Sequence, residues 1–383
     1  MKNMIDLKES RKNIDEIDRQ IVALFEQRMR ETNEVAKYKL ETGKAVYDKM
    51  REDEKLEILG GLSSNAFNRR AVIELFSQIM SISRKYQYGF LPSSDWLSDF
   101  QKVERLPVTK TTKVCYFGMP GSNTQQAMED FFGEDICGIS CPTFQSVMEA
   151  VERGDADYGV LPIENSSTGG ITANYDLLLN YSNSIIGQYV NRIDHCLLGL
   201  PGARTEDIKK VYSHPQGLLQ CRVFLKEHPE MNPVECADTA TSAKKVAADG
   251  DISQAAIAAE RAAKEYGLQV IEDGIQQEKN NSTRFIMIGR NPVYLDDSDK
   301  LALCIELPHE CGSLYRILSH FRFNDLNMTQ IESRPIKGKT WEYRFFVDIE
   351  GNLEDPAVQN ALRGIREEAK SIRILGNFKS FTK

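Results

Sequence analysis

The segment at residues 280–285 reads Asn-Asn-Ser-Thr-Arg-Phe, and its polar residues stand directly before an apolar run at 285–288 that predicts a strand. Arg284 carries a planar fork of donors that matches a carboxylate. Thr283 offers a neutral hydroxyl that can donate to a developing or departing oxygen without first being ionised. These groups converge at the mouth of a strand, which predicts a site for a small carboxylate anion. A simple polar turn is the alternative interpretation.

Charged residues near the N-terminus form a second group that could bind an anion. Arg28 and Lys39 are eleven residues apart, almost three helical turns, so they share one face of a helix. Arg11 precedes Arg28 by seventeen residues, which rotates it by about 100° from that face. A common site would therefore need Arg11 from a second protomer.

Five further polar residues have helical spacing of their own. Asp48, Arg51 and Glu52 fall at i, i+3 and i+4. Ser83 and Gln87 fall at i and i+4, so each set lines one face of its helix. In helices this rich in charge, a solvated polar face is the alternative interpretation.

The elements that must position these residues are long helices. The chain has no proline before Pro92 and no glycine from Asp6 to Thr42. Apolar residues recur at helical spacing at Ile14, Ile17, Ile21, Leu24 and Phe25. This pattern predicts one helix of about 35 residues, roughly 50 Å long. A domain of this size cannot cover such a helix by itself, so a dimer is expected.

Two more helices are predicted at 47–59 and 65–88, which makes residues 1–90 an all-α domain. Residues 91–112 mix polar residues with prolines and show no period, which predicts a linker. From residue 113 onward, short apolar runs alternate with helical stretches, which predicts an α/β domain at 113–290. Its strands are predicted at 114–118, 157–163, 210–213, 255–258 and 285–288.

Composition limits the class of protein. The 383 residues suit two or three domains, and the net charge of -8 argues against a nucleic-acid or membrane-surface partner. The eight cysteines are scattered without zinc-site spacing, which favours free thiols over a metal site. With no signal-like N-terminus and no apolar run of about 18 residues, a location in the reducing cytoplasm is predicted.

Polar groups follow several predicted strands, where open α/β sheets bind ligands. Ser122 lies in a glycine-containing turn that opens a helix, so it and the helix amides are expected to receive an anion. Glu164, Asn165 and Ser166 stand ahead of a hydroxyl-rich turn. These residues are candidates for binding the substrate.

Two polar residues after strands are interpreted first as helix caps. His214 stands between a strand and a helix, where a cap or structural hydrogen-bond partner is favoured over a catalytic base. Asp238 is expected to be a helix N-cap, and a position facing the cleft is its alternative.

The last segment of the chain, residues 300–383, has a different order of elements. Strands are predicted at 301–307, 328–333 and 341–349, helices at 312–323 and 355–372, and a short strand at the end. A βαββαβ order gives an α+β, ferredoxin-like sandwich.

The segments at 118–123, 161–170, 213–216, 238–243 and 280–285 together resemble prephenate dehydratases throughout residues 113–290. The resemblance implies two α/β lobes around a cleft, like a type-2 periplasmic binding protein, with no metal or organic cofactor. It implies Thr283 as the essential hydroxyl and Arg284 oriented towards a substrate carboxylate. Glu164 is the second candidate for proton delivery. That role requires burial to raise its pKa above the usual carboxylate value of about 4.3.

The helical residues match, position by position, the substrate-contacting set of the all-helical chorismate mutase family, with a one-residue deletion before the last helix. The set is Arg11, Arg28, Lys39, Asp48, Arg51, Glu52, Ser83 and Gln87. The resemblance implies that Arg11 and Arg28 hold the carboxylates of chorismate, and that Lys39 and Gln87 bond its ether oxygen. The other four position the hydroxyl and the enolpyruvyl group. A pericyclic rearrangement needs only a compactly held dianion and donors at that oxygen.

Two motifs in residues 300–383 resemble the phenylalanine-binding ACT domain attached to dehydratases. They are Gly312, Ser313 and Leu314, and Glu332, Ser333, Arg334 and Pro335. The family commonly has Gly-Ala-Leu-Val in the first motif, so Ser313 and Tyr315 leave the affinity and the choice of amino acid open. A structural dimerisation module is the alternative. Phenylalanine binding at a dimer interface is expected to inhibit the dehydratase.

The domain order of the whole chain resembles bifunctional chorismate mutase–prephenate dehydratases. The predicted protein is a homodimer or higher homo-oligomer that converts chorismate through prephenate to phenylpyruvate, with L-phenylalanine as its effector. One alternative is a single activity, with the helical domain serving only as a dimeriser. Another is a ligand-sensing module that binds a carboxylate without turnover. The group that protonates the leaving hydroxyl and any coupling between the two sites stay open.

Overall fold

The structure is a computed structural model that describes residues 6–91 and 95–382. The chain folds as two compact units. Unit 1 contains the N-terminal residues through Asp95 together with Glu306–Asn327 and Glu354–Ile372. Unit 2 contains Trp96–Ile305, Met328–Leu353 and Arg373–Lys383. Among the described residues, no helix combines the length and the apolar character needed to cross a membrane.

Three helices form the N-terminal region of unit 1, and they confirm the all-α prediction. They are α1 (Leu7–Thr42), α2 (Lys49–Gly61) and α3 (Ala66–Tyr88). The side chain of Asp6 caps the first amides of α1, and Gly43 ends the helix at a φ of 67°. Without an internal glycine or proline, α1 continues for 36 residues.

Unit 2 begins with elements that the sequence analysis did not predict. Residues Asp95–Asp99 form a 3-10 helix, and β1 (Gln101–Val103) pairs with a strand at Val293–Leu295. The prediction of a linker at 91–112 did not include these short elements. A three-residue strand has too few side chains to show a period, and its pairing partner is distant in sequence.

The first group of elements in unit 2 begins with β2. Its members are β2 (Lys113–Phe117), α4 (Asn123–Phe132), β3 (Cys137–Cys141), α5 (Phe144–Arg153), β4 (Tyr158–Asn165), β5 (Gly169–Gly170), α6 (Thr172–Asn180) and β6 (Ser184–Arg192). The second group is β7 (Cys196–Gly199), β8 (Lys210–Ser213), α7 (Pro215–Gln220), α8 (Arg222–Glu227), β9 (Asn232–Glu235), α9 (Thr239–Asp249), β10 (Gln254–Ala258), α10 (Glu260–Tyr266) and β11 (Gln269–Glu272). The chain then returns to the first sheet through β12 (Ser282–Gly289), followed by β13 (Val293–Leu295). The five predicted strands are confirmed.

These elements form two sheets, and each sheet is the centre of one lobe. The first sheet has the order β6-β12-β4-β2-β3 over these strands, with β5 beside β4. The second has the order β11-β7-β10-β8-β9. The chain passes between the sheets twice, at residues 193–195, the first crossing, and at residues 273–281, the second crossing. Residues at these crossings lie where the two lobes meet.

The C-terminal elements follow the predicted βαββαβ order. They are β14 (Lys300–Glu306), α11 (Ser313–Phe323), β15 (Met328–Pro335), β16 (Tyr343–Glu350), α12 (Pro356–Glu368), β17 (Ser371–Phe378) and a further strand, β18 (Ser380–Thr382). The sheet order is β15-β16-β14-β17, and β18 joins the first sheet beside β6. The helices α11 and α12 belong to unit 1, whereas most of the sheet belongs to unit 2.

The predicted helix at 355–372 is too long at its C-terminal end. The helix α12 stops at Glu368, and Ala369 is already extended with a ψ of 160°. Strand β17 begins two residues later. The charged and polar residues at 366–371 are compatible with either conformation, and pairing of β17 in the sheet decides in favour of the strand.

Candidate active sites

The first candidate site lies among α1, α2 and α3, where four of the predicted residues come together. The guanidinium of Arg28 donates a hydrogen bond to Ser83 Oγ across α1 and α3. The charge of Glu52 acts on Arg28 and also on Lys39. Lys39 Nζ donates to the carbonyl oxygen of Val46 at 2.6 Å. Two cations of α1 thus lie near a hydroxyl of α3 and a carboxylate of α2.

Burial changes the electrostatics of these cations. It lowers the pKa of Arg28, while the charge of Glu52 opposes the shift. It also lowers the pKa of Lys39, against the charges of Glu367, Asp48 and Glu52. Both groups have therefore lost part of their hydration, which strengthens the attraction that a bound dianion would feel.

The remaining residues of the set have different local roles. Asp48 caps α2, where its Oδ1 accepts from the backbone amide of Arg51 at 3.1 Å, and both side chains are exposed. Gln87 is buried and donates from Nε2 to the carbonyl of Ser83 at 3.1 Å. Among the described residues its Oε1 has no hydrogen-bond partner.

Arg11 does not join this group within one chain. It lies on α1, seventeen residues before Arg28, which at 1.5 Å per residue corresponds to about 26 Å along the axis. Its side chain is exposed. That Arg11 serves the site of another protomer stays a prediction.

The second candidate site is a row of side chains across three strands at one end of the first sheet. Thr283 on β12 is paired with Asn165 on β4 and with Asn191 on β6. Directly opposed residues project from the same face of a sheet. Asn165 Nδ2 donates to Thr283 Oγ1 at 2.9 Å. The hydroxyl of Thr283 therefore accepts one bond and keeps its own proton for a ligand.

Two side-chain amides near Thr283 also have N–H groups that are available to donate hydrogen bonds. The Nδ2 atoms of Asn191 and Asn281 are buried, and neither has a hydrogen-bond partner within the described chain. Asn281 Oδ1 is already used, since it accepts from Asn165 at 2.9 Å and from Ser167 at 3.0 Å. Buried donors normally find partners, so these two are suited to bind an anionic ligand.

Arg284 lies on the other face of β12. Side chains alternate along a strand, and Thr283, Phe285 and Met287 share one face. The guanidinium of Arg284 pairs with Asp348 Oδ2 at 2.7 Å and with Glu164 Oε2 at 3.0 Å. Burial lowers the pKa of Arg284, and the combined effect of Asp348 and the other neighbours outweighs this and raises it. The structure thus does not bring Arg284 beside Thr283 as a carboxylate ligand.

This buried pair predicts a stability effect. Asp348→Asn leaves one arm of the Arg284 guanidinium without a charged partner, and we expect a loss of about 2 kcal/mol in the free energy of unfolding. Urea denaturation of the full chain measures it. The matched control is Asp176→Asn, because the pair of Asp176 with Arg334 is more exposed and should contribute no more than about 1 kcal/mol. Equal losses in both variants would contradict the prediction.

Glu164 lacks the burial that its role as an acid requires. Its side chain is 40% exposed and paired with Arg284. Ser166 does lie near the row, since its Oγ accepts from the backbone amide of Ser282 at 2.9 Å. Ser122 caps α4, where its Oγ accepts from the amide of Gln125 at 3.3 Å.

The expected caps are confirmed. His214 precedes α7, and its Nδ1 accepts from the backbone amide of Gln216 at 3.2 Å. Asp238 Oδ1 accepts from the amide of Thr241 at 2.7 Å at the start of α9. Each side chain therefore satisfies a helix terminus.

His195 and Asn191 were not singled out from the sequence. His195 lies in the first crossing, where its Nε2 bonds to Gln220 Oε1 at 2.8 Å. An amide oxygen only accepts, so Nε2 carries the proton, and the buried Nδ1 has no partner in the described residues. Burial lowers the pKa of His195. The sequence does show an asparagine and a histidine next to two apolar runs. Recognising these runs as β6 and β7 would have located Asn191 and His195 at the ends of the two strands.

A cavity of about 760 Å³ also lies at the crossings. Its polar lining comes from α4, α10, the last residue of β6 and both crossings: Asn123, Gln126, Arg192, Asp194, Glu260, Arg261, Lys264 and Asp273. Thr283 is not among the lining residues, and the cavity mixes cations with carboxylates. We place the candidate reaction at the Thr283 row, where the available groups are hydrogen-bond donors.

The two effector motifs fall in different units. In unit 1, Gly312 has a φ of 75° before α11, and Ser313 Oγ donates to the carbonyl of Glu310 at 2.9 Å; Leu314 follows in α11. In unit 2, Glu332, Ser333, Arg334 and Pro335 form the end of β15. Arg334 pairs with Asp176 of α6 at 2.7 Å.

Comparisons with known proteins identify the families of the two regions that contain the candidate sites. The family model for chorismate mutase type II matches residues 10–88, and the model for prephenate dehydratase matches residues 114–293. The bifunctional chorismate mutase/prephenate dehydratase of Neisseria gonorrhoeae is 34% identical over 369 residues, which cover 96% of this chain and 95% of that protein. Arogenate dehydratase/prephenate dehydratase 6 of Arabidopsis thaliana is 38% identical over 283 residues, which cover 70% of this chain and 68% of that protein.

A solved structure supports the α/β assignment. The prephenate dehydratase from Arthrobacter aurescens in complex with L-Phe has a TM-score of 0.65 and 32% identity, and the match covers 70% of this chain and 90% of that chain. The protein is an enzyme that carries a chorismate mutase and a prephenate dehydratase domain. Its similarity to the Neisseria protein extends over nearly the full length of both chains, so it belongs to the family of bifunctional chorismate mutase/prephenate dehydratases.

Proposed function

We propose that residues 1–90 rearrange chorismate to prephenate, and that residues 113–290 convert prephenate to phenylpyruvate, in the biosynthesis of phenylalanine. Residues 91–112 join these two domains. The observation that carries the proposal is the hydroxyl of Thr283, which accepts from Asn165 and keeps a proton available beside two buried amide donors. Such a site can stabilise a leaving oxygen and a carboxylate together.

The mutase step needs positioning rather than proton transfer. Arg28 binds one carboxylate of chorismate, and Arg11 of a second protomer binds the other. Lys39 and Gln87 lie near the ether oxygen, which gains negative charge as its C–O bond breaks. Glu52, Asp48, Arg51 and Ser83 complete the site around the hydroxyl and the enolpyruvyl group. Holding the dianion in a compact chair removes most of the entropic barrier.

The dehydratase step needs a donor at the departing hydroxyl. The ring carboxylate leaves as carbon dioxide, and its bonding electron pair enters the ring as the C–OH bond breaks. The hydroxyl takes up a proton and leaves as water, so the ring becomes aromatic. Thr283 donates a hydrogen bond to this oxygen, while the amides of Asn191 and Asn281 bind the carboxylates. Asn165 and Ser166 hold the end of β12 in place, and Ser122 lies at an adjacent helix terminus.

A direct assay tests the proposed reactions. Purified full-length protein is given chorismate, and the loss of chorismate and the appearance of phenylpyruvate are followed together. Formation of phenylpyruvate is expected, whereas accumulation of prephenate would contradict the dehydratase proposal. Because the Arabidopsis relative is named for both substrates, prephenate and arogenate are then compared directly. If kcat/KM is higher for arogenate than for prephenate, arogenate becomes the assigned substrate.

We propose further that residues 300–383 form a phenylalanine-binding ACT domain that inhibits the dehydratase. The βαββαβ order, the sheet order β15-β16-β14-β17 and the two sequence motifs support this. The bound L-Phe named for the Arthrobacter structure supports phenylalanine as the effector. Feedback requires that phenylalanine bind one conformational state better than another.

Isothermal titration with phenylalanine tests the regulatory proposal. We expect saturable binding and a fall in dehydratase rate over the same concentration range, because the fraction of enzyme that has bound phenylalanine is the fraction shifted to the less active state. Tyrosine serves as the control ligand, because Ser313 and Tyr315 alter the usual motif. The absence of both phenylalanine binding and inhibition of the dehydratase would contradict the proposal.

A homodimer formed along α1 belongs to the same proposal. Ile14, Ile17, Ile21 and Leu24 are each more than half exposed in the single chain, although they recur at helical spacing. An exposed apolar stripe of this kind is typical of an interface with a partner chain.

The eight cysteines are free thiols, which supports a reducing cytoplasm as the location.

A further inference from the structure

Arg84 lies at the junction of three helices in unit 1, next to Ser83 on α3. Its side chain is only 5% exposed. One arm of its guanidinium forms an ion pair with Glu52 of α2, and the other pairs with Glu368 of α12 at 2.8 Å. The guanidinium also lies 4.7 Å from the centre of the Tyr47 ring. Arg84 therefore connects a residue of the proposed mutase site with a helix from the C-terminal region of the chain.

Glu368 is itself held firmly. It is 3% exposed, and His320 of α11 contacts the same carboxylate oxygen at 3.1 Å. His320 is packed against Gly364, where an added Cβ would lie 2.1 Å from the imidazole Cε1. A buried carboxylate with two nitrogen partners has little freedom to move, so Glu368 fixes the direction of the Arg84 guanidinium.

Other contacts keep α12 in register with the mutase helices. Glu367 Oε2 accepts from the backbone amide of Tyr47 and from the Tyr88 hydroxyl, each at 2.7 Å. Asn360 and Arg363 donate to the carbonyls of Lys85 and Tyr88, at 2.9 and 3.0 Å. These bonds join α12 to the end of α3 and to the residues that precede α2.

We propose that Arg84 is a positioning residue for the mutase reaction, which orients Glu52 towards chorismate, and that Glu368 of α12 holds Arg84 in place. The inference rests on the proposed role of Glu52 in the mutase site. A planar guanidinium with both arms paired fixes the angle and the distance of each carboxylate. The mutase site thus depends on a helix that lies more than 260 residues further along the chain than α3.

Substitutions in the full-length protein test this inference through kcat and KM for chorismate. Arg84→Ala is expected to lower kcat/KM by about tenfold or more, because Glu52 loses its orienting partner. Glu368→Gln, which keeps the side-chain shape, is expected to lower kcat/KM by about threefold. Arg84→Lys is expected to give a kcat/KM between those of the wild type and Arg84→Ala. The control is Glu310→Gln, which removes an exposed ion pair with Lys49 of α2 without touching Glu52.

A double-mutant cycle separates positioning from a general structural effect. If Arg84 acts through Glu52, Arg84→Ala has little further effect on kcat/KM in a Glu52→Ala background. Dehydration of added prephenate and the melting temperature report whether each variant is folded. If Arg84→Ala fails to fold, Glu368→Gln and Arg84→Lys are each combined with Glu52→Ala in the same kind of cycle.

The outcomes distinguish this inference from the proposed function. The positioning role alone would be overturned by a wild-type mutase rate in Glu368→Gln. It would also be overturned if Arg84→Ala lowered kcat/KM as much in the Glu52→Ala background as in the wild type. An unchanged mutase rate in Glu52→Ala would contradict the proposed substrate set and this inference with it. Both the proposed substrate set and the positioning role are supported if kcat/KM falls in Arg84→Ala, Glu368→Gln and Glu52→Ala, and if the double variant of Arg84 and Glu52 shows no added loss.

Discussion

Replacing Thr283 by alanine is expected to lower the rate of phenylpyruvate formation by about 10²- to 10³-fold, the usual effect of removing one donor at a developing oxyanion. The loss should appear mainly in kcat, because the hydroxyl acts as the C–OH bond breaks. The fold should survive the change. Asn165 Nδ2 keeps bonds to Asn281 Oδ1 at 2.9 Å and to the Ser282 carbonyl at 3.2 Å.

The measurement gives chorismate to the variant and follows both products. Chorismate should disappear at the wild-type rate, and prephenate should accumulate. Thr283→Ser is the matched control, since it keeps the hydroxyl and should retain most of the dehydratase rate. If Thr283→Ala still forms phenylpyruvate at the wild-type rate, the assignment of the reaction to the Thr283 row is wrong.

The second large effect concerns Arg28. Arg28→Ala is expected to lower mutase kcat/KM by about 100-fold or more, because a half-buried cation that binds a carboxylate is lost. Arg11→Ala should have a similar effect, although Arg11 is exposed in the single chain. Both variants should dehydrate added prephenate normally. Arg19→Ala on the same helix is the control, because Arg19 belongs to neither proposed site.

Mixed dimers of the two variants test whether the site is shared. In a dimer of one Arg11→Ala chain and one Arg28→Ala chain, one site contains both intact arginines and the other contains neither. Random mixing makes half of the dimers mixed, so about a quarter of the wild-type mutase activity should return in the unfractionated mixture, and about half in purified mixed dimers. Co-expression with two affinity tags provides these dimers. Mixed dimers as inactive as the parents would contradict a site shared between protomers.

The sequence determined the local elements and the identity of the chemical groups. The absence of glycine and proline in α1 predicts its full length, because helix formation depends on short-range backbone preferences. The 100° rotation between Arg11 and Arg28 follows from helix geometry alone. The order Asn-Asn-Ser-Thr-Arg-Phe likewise located Thr283 beside a strand; in the structure this strand begins earlier than predicted, at Ser282, so that Thr283 lies within it.

Only the tertiary structure decided which of these groups meet. Arg284 is adjacent to Thr283 in sequence, but alternation along β12 turns it to the opposite face and into a pair with Asp348. Asn191 reaches Thr283 through the pairing of β6, and Glu368 reaches Arg84 through the packing of α12. Such contacts join residues that are far apart in the chain. Their geometry depends on how sheets and helices pack, and a local pattern of residue types carries no information about that packing.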